Sequence, residues 1–272
     1  MRYLFNEWDA LKGRIQGRYL FLFLDFDGTL APIAETPAKA VIPQETKKLL
    51  NKLAKRKHIR IAIISGRSLG NIKNKLGLNN IIYSGNHGLE IEGPKVKFSP
   101  LISRGYKIAL KTIKNTLARK LRLVKGVILE DKSISLSLHY RLVDDKQVFR
   151  VKTIFHETVI RYLLGDRIKA KEGKKVLEVR PPLEWDKGKV ILWLLARQKF
   201  AKYGNKILPL YIGDDLTDED AFKALRRIGI TVFVGRPTQS SKAKYYLKDT
   251  CEVTKLLRGI LEIQSENQKC KK

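Results

Sequence analysis

The sequence has few of the features that mark secreted, membrane-spanning or metal-stapled proteins. Among its 272 residues there are only two cysteines, Cys251 and Cys270, and their spacing matches neither a zinc site nor a redox site. The longest apolar run near the amino terminus, Tyr19 to Leu24, is far shorter than the roughly 20 residues that a membrane-spanning helix needs. No apolar stretch leads to a cleavage site, so no signal peptide is evident. We therefore expect a cytoplasmic protein without a membrane partner, with Cys251 a buried thiol and Cys270 a solvated one.

Acidic residues are scarce relative to basic ones. Lys and Arg total 55 against 27 Asp and Glu, which gives a net charge of +28. Two stretches, 47–60 and 101–125, contain seven and eight basic residues and no acidic residue. Such an excess raises the hypothesis of a protein that binds nucleic acid or another polyanion. Both stretches have apolar residues at helical spacing and no nucleic-acid-binding motif accompanies them, so we prefer the solvated faces of amphipathic helices.

Length and hydrophobic patterning predict an α/β protein. A chain of this length, with 43% hydrophobic residues, suits one large domain or two packed domains. Apolar strands alternate with amphipathic helices in the first and last parts of the chain, as in a Rossmann-like, doubly wound parallel sheet. The predicted strands are Leu20–Asp25, Ile59–Ile64, Ile81–Ser84, Ile207–Ile212 and Thr231–Val234, and the predicted helices are Pro43–Arg56, Leu69–Leu76, Lys187–Lys202 and Thr217–Arg227.

The middle of the chain follows a different pattern. Prolines at 100, 181 and 182 interrupt the elements, and between them helices alternate with pairs of strands. We therefore predict an α+β domain at 101–182, inserted into a core formed by 1–100 and 183–272. In one strand, Ser133–Tyr140, serines alternate with isoleucine and leucine, which predicts one apolar face and one solvated face.

Carboxylates follow two predicted strands of the core. Asp25 and Asp27 lie at the end of the strand in FLFLDFDGTL, and Asp214 and Asp215 follow the strand in LYIGDD. The carboxyl ends of parallel strands meet at one edge of the sheet, where ligands bind in open α/β folds. Paired carboxylates repel one another unless a shared proton or a dication offsets their charge, and hard oxygen ligands suit Mg²⁺. The sequence therefore predicts a magnesium site at this edge.

A second run of acidic residues follows shortly after Asp215. Asp218, Glu219 and Asp220 fall at the start of the next predicted helix. Negative charge in a first helical turn is favoured by the helix dipole. We interpret these three residues as a helix start and assign them no role in the site.

Two further sequence features, at Ser65 and Lys187, predict a site that binds an anion. Ser65 ends a predicted strand and precedes Gly66, so its hydroxyl and the loop N–H groups are available to a phosphate oxygen. Lys187 begins a helix directly after Asp186, an N-cap candidate. A cation there opposes the helix dipole and therefore needs an anionic partner. Lys189 competes for this role, and spacing alone does not decide between the two lysines.

These motifs resemble those of the haloacid dehalogenase (HAD) superfamily phosphatases. The resemblance is carried by DFDGTL at 25–30, SGR at 65–67, DKG at 186–188 and GDD at 213–215. Other stretches are similar to trehalose-6-phosphate phosphatases, namely GNHGLEI at 85–91, EDKSISLSLHYR at 130–141, GKKVLEVRP at 173–181 and GDDLTDEDAF at 213–222. The resemblance covers nearly the whole chain and implies a HAD-like catalytic core with an inserted cap domain that determines substrate specificity.

The resemblance implies a catalytic role for four residues. Asp25 would be the nucleophile that takes the phosphoryl group and forms an aspartyl-phosphate. Asp27 would protonate the departing sugar oxygen and then act as the base that activates water. Ser65 and Lys187 would bind phosphate oxygens.

The resemblance also implies the ligands of the cofactor and of the sugar. Mg²⁺ would be held by Asp25, the backbone carbonyl of Asp27 and Asp214, with Asp215 close by. The implied substrate-binding residues are Asn86, His87, Gly88, Glu130, Lys132, Lys174 and Glu178. His87 stands beside a glycine, where a histidine is as often structural, so both interpretations of it stay open.

The implied function is Mg²⁺-dependent hydrolysis of trehalose 6-phosphate to trehalose and phosphate, with a trehalose-6-phosphate synthase as a partner in the pathway. Two alternatives stay open. One is a HAD phosphatase for another sugar phosphate, such as a sucrose, mannosyl or hexose phosphate. The other is a polyanion- or nucleic-acid-binding protein on a HAD core, against which the intact catalytic motifs speak. The family's chemistry gives no reason for the net charge of +28.

Overall fold

The computed structural model describes residues 1–198 and 207–269, with side chains up to 197 in the first range and up to 263 in the second. Its contacts divide the chain into two compact units. The core unit comprises Met1–Ala34, Lys39–Phe98 and the chain from Trp185 onward. The inserted unit comprises Glu35–Ala38 and Ser99–Glu184.

Strands and helices alternate along most of the described chain. The strands are β1 (Arg2–Tyr3), β2 (Tyr19–Leu24), β3 (Ile59–Ile64), β4 (Ile82–Gly85), β5 (Glu90–Gly93), β6 (Val96–Phe98), β7 (Ile128–Asp131), β8 (Leu136–His139), β9 (Lys169–Gly173), β10 (Val176–Arg180), β11 (Ile207–Gly213), β12 (Ile230–Val234) and β13 (Tyr245–Leu247). The helices are α1 (Trp8–Ile15), α2 (Gln44–Ala54), α3 (Leu69–Leu76), α4 (Arg104–Lys120), α5 (Asp145–Leu164), α6 (Lys187–Gln198), α7 (Glu219–Leu225) and α8 (Thr250–Lys269).

The described part of the core unit is built on one nine-stranded sheet with the order β1-β13-β12-β11-β2-β3-β4-β5-β6. Seven neighbouring strands run parallel, namely β1, β13, β12, β11, β2, β3 and β4. The strands β5 and β6 add an antiparallel hairpin at one edge. The central strand β2 is buried on both faces, as its unbroken apolar sequence requires. Leu20, Leu22 and Leu24 pack in the cluster that includes α2 and α8, whereas Phe21 and Phe23 pack in the cluster that includes α6 and α7. The sheet is therefore covered by helices on both faces, which confirms the predicted α/β class.

The predicted elements of the core agree with the observed ones to within a few residues. The strand Ile59–Ile64 and the helix Leu69–Leu76 have the predicted bounds. The helix predicted over Lys187–Lys202 is observed as α6, and its predicted last residues lie outside the described ranges. The helix predicted over Thr217–Arg227 instead begins with a short 3-10 turn, Leu216–Asp218, followed by α7.

The inserted unit has its own sheet and core. Its four described strands form an antiparallel sheet with the order β7-β8-β10-β9. The helices α4 and α5 pack on the apolar face of this sheet, with Ile113, Phe155, Leu138 and Val179 buried among them. The basic residues of α4 are exposed or partly exposed and thus lie on the solvated face of an amphipathic helix, as preferred above.

The prediction of a solvated serine face in this sheet is wrong. Ser135 and Ser137 of the predicted strand Ser133–Tyr140 are as buried as Leu136 and Leu138, and β8 itself is shorter. The Ser137 hydroxyl donates to Glu178 of the neighbouring strand β10, a contact that the alternating pattern does not reveal. Ser137 is therefore part of a polar cluster, described below.

The prediction for Cys251 is also wrong, because this thiol is exposed. Cys251 lies in the first turn of α8 on the face opposite Val253, Leu257 and Ile260, which are the residues that pack on the sheet. Cys270 lies outside the described residues. Within the described ranges, no helix combines the length and the apolar composition that crossing a membrane requires.

Candidate active site

The carboxyl ends of β2, β3 and β11 meet at one edge of the core sheet because these strands are parallel neighbours. Asp25 follows β2, Ser65 follows β3 and Asp214 follows β11. The backbone N–H of Asp25 donates to the carbonyl of Ile212 at 3.0 Å, which continues the β2–β11 pairing up to the site. Asp25 and Ser65 are buried, and Asp214 is partly buried. The fold thus brings together groups that lie far apart in the sequence.

Lys187 reaches this edge from the first residue of α6. Its Nζ lies 2.7 Å from Asp25 Oδ1 and 2.5 Å from Asp218 Oδ1, and its side chain is only 3% exposed. Burial alone would lower the pKa of Lys187, but the charges of Asp218 and Asp25 outweigh this effect and hold the pKa above its ordinary value. Lys189 points elsewhere: its Nζ lies 3.7 Å from Asp186, which caps the helix. Of the two lysines, Lys187 is the one beside Asp25.

Asp218 connects several parts of the site. It is fully buried; Oδ1 accepts from Lys187 and from the Tyr211 hydroxyl at 2.5 Å, and Oδ2 accepts the backbone N–H groups of Asp214 and Asp215 at 2.9 Å. These four donors fill the four acceptor positions of a carboxylate. Asp218 does lie at a helix start, as interpreted, but it is also buried within the site, in which we had assigned it no role. Its spacing from Asp214 was visible in the sequence, but its burial was not.

A group of carboxylates at this edge is close enough together to hold a metal ion. One oxygen each from Asp25, Asp214 and Asp218 lie within 4.8 Å of one another. Because Asp218 already accepts four hydrogen bonds, Asp25 and Asp214 are the better placed to bind a cation. Burial raises the pKa of Asp25 well above its ordinary value; Lys187 opposes this shift, and Asp218 and Asp214 add to it. Hard oxygen ligands and mutual repulsion fit a dication such as Mg²⁺.

The loop after β2 is shaped by the approach of Asp214. Gly28 has φ +84°, and a Cβ at this position would lie 2.1 Å from Asp214 Oδ2. Thr29 contacts Asp214 Oδ1 at 3.5 Å from the same loop. Asp215, by contrast, lies outside the carboxylate group of the described residues, and its Oδ1 accepts the N–H of Leu216 at 2.7 Å as the cap of the short helix.

Asp27 is held by an arginine that the sequence analysis did not single out. Arg67 donates from Nε to Asp27 Oδ2 at 2.7 Å and from Nη2 to Asp27 Oδ1 at 2.6 Å. The arginine side chain is 6% exposed, whereas that of Asp27 is 42% exposed. Arg67 belongs to the SGR motif, which was therefore the available signal.

The loop that contains Asn86, His87 and Gly88 packs against the loop that contains Ser65. The backbone N–H of His87 donates to the carbonyl of Ser65 at 2.9 Å, and that of Asn86 to the carbonyl of Arg67 at 2.7 Å. The buried Asn86 side chain donates to Glu90 at 2.6 Å. Gly88 has φ +104° and lies so close to α6 that a Cβ would approach Val190 to 2.0 Å. These contacts shape the Ser65 loop, and His87 is the partly exposed residue among the three.

A second polar cluster lies in the inserted unit. Cross-strand pairing places Glu130, Ser137 and Glu178 side by side on one face of the sheet. Glu178 Oε1 accepts from Lys132 Nζ and from Ser137 Oγ, both at 3.0 Å, and Oε2 accepts from Arg180 Nε at 2.5 Å. All four of these residues are buried. The cluster is a buried network of charged and polar groups in which Glu178 accepts hydrogen bonds from the three other side chains.

The remaining predicted sugar-binding residues of this unit are Glu130 and Lys174. Glu130 Oε2 lies 2.8 Å from His139 Nε2, and both side chains are partly exposed. Lys174 is exposed in the turn between β9 and β10. The structure therefore joins Lys132 to Glu178 directly and pairs Glu130 with a histidine.

Comparison with known proteins places this geometry in a family. The trehalose-phosphatase family model matches residues 23–251. The chain belongs to the trehalose-phosphatase family. Trehalose-phosphate phosphatase B of Arabidopsis thaliana is 35% identical over 272 residues, covering 94% of this chain and 70% of that protein.

Solved structures agree with this assignment. The C-terminal domain of the Candida albicans trehalose-6-phosphate phosphatase matches with a TM-score of 0.78 and 25% identity, over 93% of this chain and 96% of that one. A haloacid dehalogenase-like hydrolase from Bacteroides thetaiotaomicron matches with a TM-score of 0.63 and 18% identity, over 89% and 100% of the two chains, and shows the shared fold. This member of the trehalose-phosphatase family therefore has a HAD-like fold. Because its relatives are named as phosphatases, the chain is an enzyme of the phosphatase class.

Proposed function

We propose that this enzyme hydrolyses trehalose 6-phosphate to trehalose and inorganic phosphate, with Mg²⁺ as its cofactor and through an aspartyl-phosphate on Asp25. The main support is the position of Asp25, which is buried at the carboxyl edge of the sheet beside Lys187 and Asp214 in a chain of the trehalose-phosphatase family. A buried carboxylate with an adjacent ammonium group is suited to attack an anionic phosphoryl centre.

The proposed reaction has two steps. In the first, an oxygen of Asp25 bonds to phosphorus while the bond to the sugar oxygen breaks, and Asp27 gives that oxygen a proton. In the second, water attacks the same phosphorus and returns Asp25 to a carboxylate, while Asp27 takes the proton from water. Lys187 and the Ser65 hydroxyl stabilise the charge on the phosphoryl oxygens.

The proposed cofactor ligands are Asp25, the backbone carbonyl of Asp27, and Asp214. When bound there, Mg²⁺ would neutralise charge that develops on the phosphoryl oxygens. We leave Asp215 out of this set because its side chain caps the helix that follows it. Asp218 supports the set indirectly, since it holds the backbone of the loop that carries Asp214.

Residues 101–182 are proposed to act as the cap domain that selects the sugar. Glu130, Lys132, Lys174 and Glu178 are the proposed sugar-binding residues, because carboxylates and ammonium groups together match hydroxyls that both donate and accept hydrogen bonds. Of these four, Lys132 and Glu178 are buried, and buried polar groups discriminate against ligands that lack a matching hydroxyl. We propose that His87 contacts the substrate, whereas Asn86 and Gly88 shape the Ser65 loop.

Two other candidates are less well supported. A phosphatase for another sugar phosphate would use the same core, and only the inserted unit would distinguish it. A polyanion-binding protein without catalysis is not favoured, because the family match covers the catalytic motifs and these converge in the fold. The synthase partner stays a prediction: an enzyme that forms trehalose 6-phosphate must supply the substrate.

The proposal is tested with a panel of sugar phosphates compared by kcat/KM with and without Mg²⁺. We expect trehalose 6-phosphate to be preferred and the Asp25→Asn variant to be inactive, while Asp9→Asn, a change of the same kind on an exposed residue of α1, keeps wild-type turnover. Equal kcat/KM across the panel would contradict the disaccharide assignment. Turnover by Asp25→Asn would contradict the mechanism. Salt-sensitive binding of duplex DNA without phosphatase activity would favour the polyanion-binding alternative.

A further inference from the structure

The paired hydrogen bonds between Arg67 and Asp27 point to a role in the reaction. We infer that Arg67 is a positioning residue that orients the Asp27 carboxylate for the second step, in which Asp27 takes a proton from water. This inference rests on the proposed function, because it assigns Arg67 a part in that mechanism. The hydrogen bonds of Arg67 to Asp27 go to the side-chain oxygens, whereas the proposed metal ligand of Asp27 is its backbone carbonyl.

Arg67 is fixed more firmly than the aspartate it holds. Its guanidinium carbon lies 5.2 Å from the centre of the Phe26 ring, and Nη1 donates to Asn71 Oδ1 at 3.1 Å. Its backbone N–H donates to Ser65 Oγ at 3.2 Å, and its carbonyl accepts from Asn86. The Arg67 side chain is 6% exposed and has contacts besides Asp27, whereas that of Asp27 is 42% exposed. Arg67 is therefore the fixed member of the pair.

The geometry leaves Asp27 able to act on water. A carboxylate has about four acceptor positions, and the two N–H groups of Arg67 occupy one on each oxygen. The remaining positions lie on a side chain that is 42% exposed. Water therefore has access to an oxygen whose direction is already fixed by the planar guanidinium group.

The paired hydrogen bonds favour one of the two proposed roles of Asp27. Two parallel N–H donors match a carboxylate, in which both oxygens accept. A protonated carboxyl group has an O–H on one oxygen, which competes with one of these donors. Both hydrogen bonds from Arg67 therefore orient Asp27 when Asp27 is the carboxylate that accepts a proton. They do not orient it in this way when Asp27 is the acid that donates a proton.

The supported step is balanced in atoms and charge. A bond forms between the oxygen of water and phosphorus, and the bond between phosphorus and the Asp25 oxygen breaks. The proton of the attacking water moves to an oxygen of Asp27. The products are inorganic phosphate and the Asp25 carboxylate, so no additional reactant is required.

The test separates the two steps with a substrate that needs no acid. p-Nitrophenyl phosphate releases a stable phenolate, so its first step does not depend on proton donation by Asp27. In Arg67→Met, rapid mixing should give a burst of about one nitrophenolate per active site, followed by turnover slowed on the order of 10²-fold. The slow rate should be the same with trehalose 6-phosphate, since both substrates form the same phosphoenzyme.

Two further variants serve as controls. Arg60→Met removes an arginine of β3 that donates to the carbonyl of Pro94, and it should behave as wild type. Arg67→Lys keeps the charge but loses the paired donors, so it should show a burst and an intermediate steady rate. If Arg67→Met does not fold, Arg67→Lys decides the question, with its thermal unfolding compared with that of Arg60→Met.

The outcomes distinguish this inference from the proposed function. Acid-quenched Arg67→Met should contain covalent phosphate, and Asp25→Asn should contain none. Two results would overturn the inference and leave the proposed function standing. One is wild-type turnover by the Arg67 variants. The other is a loss of turnover confined to trehalose 6-phosphate, with no burst of nitrophenolate from p-nitrophenyl phosphate. A wild-type enzyme inactive toward both substrates would overturn the proposed function itself.

Discussion

The ammonium group of Lys187 lies 2.5 Å from Asp218 Oδ1, although 31 residues separate them in the sequence. Both side chains are buried, and Asp218 also accepts from Tyr211 and from two backbone N–H groups of the loop after β11. Asp218 therefore joins the start of α6 to the loop that carries Asp214. Its contribution is to hold Lys187 and Asp214 in place around Asp25.

The first prediction concerns Asp218→Asn. This change removes the buried charge that faces Lys187 and replaces an acceptor with an amide that also donates. Removing one partner of a buried ion pair costs about 3–5 kcal/mol, and we expect a loss of that size in the free energy of unfolding. Urea-induced unfolding measures it, and turnover should fall with it because Lys187 and Asp214 lose their support.

Asp215→Asn is the matched control for this prediction. Asp215 is three residues away, is partly exposed, and caps one N–H at the start of a short helix. Because Asn caps a helix about as well as Asp, this variant should lower the free energy of unfolding by less than about 0.5 kcal/mol. Equal destabilisation by the two variants would show that Asp218 is an ordinary helix-start residue.

The second prediction separates Lys187 from Lys189. Replacing Lys187 with Met leaves the carboxylates of Asp25 and Asp218 without their cation and removes a donor to the phosphoryl group. We expect kcat to fall roughly 100- to 1000-fold, as when one transition-state donor is lost. Lys189→Met should retain wild-type kcat, because Lys189 is directed to Asp186. Comparable losses in both variants would contradict this assignment.

Much of the core and part of the site could be predicted because the relevant signals are local. The apolar runs of β2, β3 and β11 identify buried strands, and the aspartates that follow them must lie at one sheet edge. Asp25, Asp214 and Ser65 were found in this way. Spacing alone left Lys187 and Lys189 open, and only the resemblance favoured Lys187, since the choice depends on the direction in which each side chain leaves α6.

The residues that could not be predicted are those whose burial depends on distant parts of the chain. The sequence around Asp218 predicts a helix start, but the burial of Asp218 between Lys187 and Tyr211 depends on the fold. Ser137 reads as solvated, yet it is buried because Glu178 and its partners lie across the same face. Periodicity reports which residues share a face and carries no information about what covers that face.

The third prediction concerns the backbone at Gly88. A side chain there would meet Val190 at 2.0 Å and would require φ +104°, a conformation that other residues rarely adopt. Gly88→Ala should therefore lower the free energy of unfolding by at least about 2 kcal/mol. Gly70→Ala, on the exposed side of α3 with no atom within 4 Å, should instead raise it by about 0.4–1 kcal/mol. Chemical denaturation of both variants checks the opposite signs, and a neutral Gly88→Ala would contradict the packing described here.

The fourth prediction concerns the polar cluster of the inserted unit. Ser137→Ala removes one of the donors to Glu178, and leaving a buried carboxylate short of a donor costs about 1–3 kcal/mol. If Glu178 contacts the sugar, KM for trehalose 6-phosphate should also rise, while turnover of p-nitrophenyl phosphate should stay unchanged. Ser133→Ala, the same change on an exposed serine of the preceding loop, should alter neither property. An unchanged stability of Ser137→Ala would mean that the cluster does not depend on this hydrogen bond.

The fifth prediction concerns the metal. Asp25 and Asp214 are buried or partly buried next to a third carboxylate, so a dication bound there would offset repulsion that Lys187 alone compensates only in part. Activity should therefore disappear on dialysis against a chelator and return with Mg²⁺. Asp214→Asn should raise the Mg²⁺ concentration needed for half-maximal activity by about tenfold or more. Losing even a residue that only hydrogen-bonds to a metal ligand typically costs 10- to 100-fold in metal affinity.

Asp215→Asn is the control and should leave that concentration nearly unchanged, since the Asp215 carboxylate accepts the N–H of Leu216. Full activity in the chelator would exclude the proposed cofactor, and a larger shift for Asp215→Asn than for Asp214→Asn would reverse the ligand assignment.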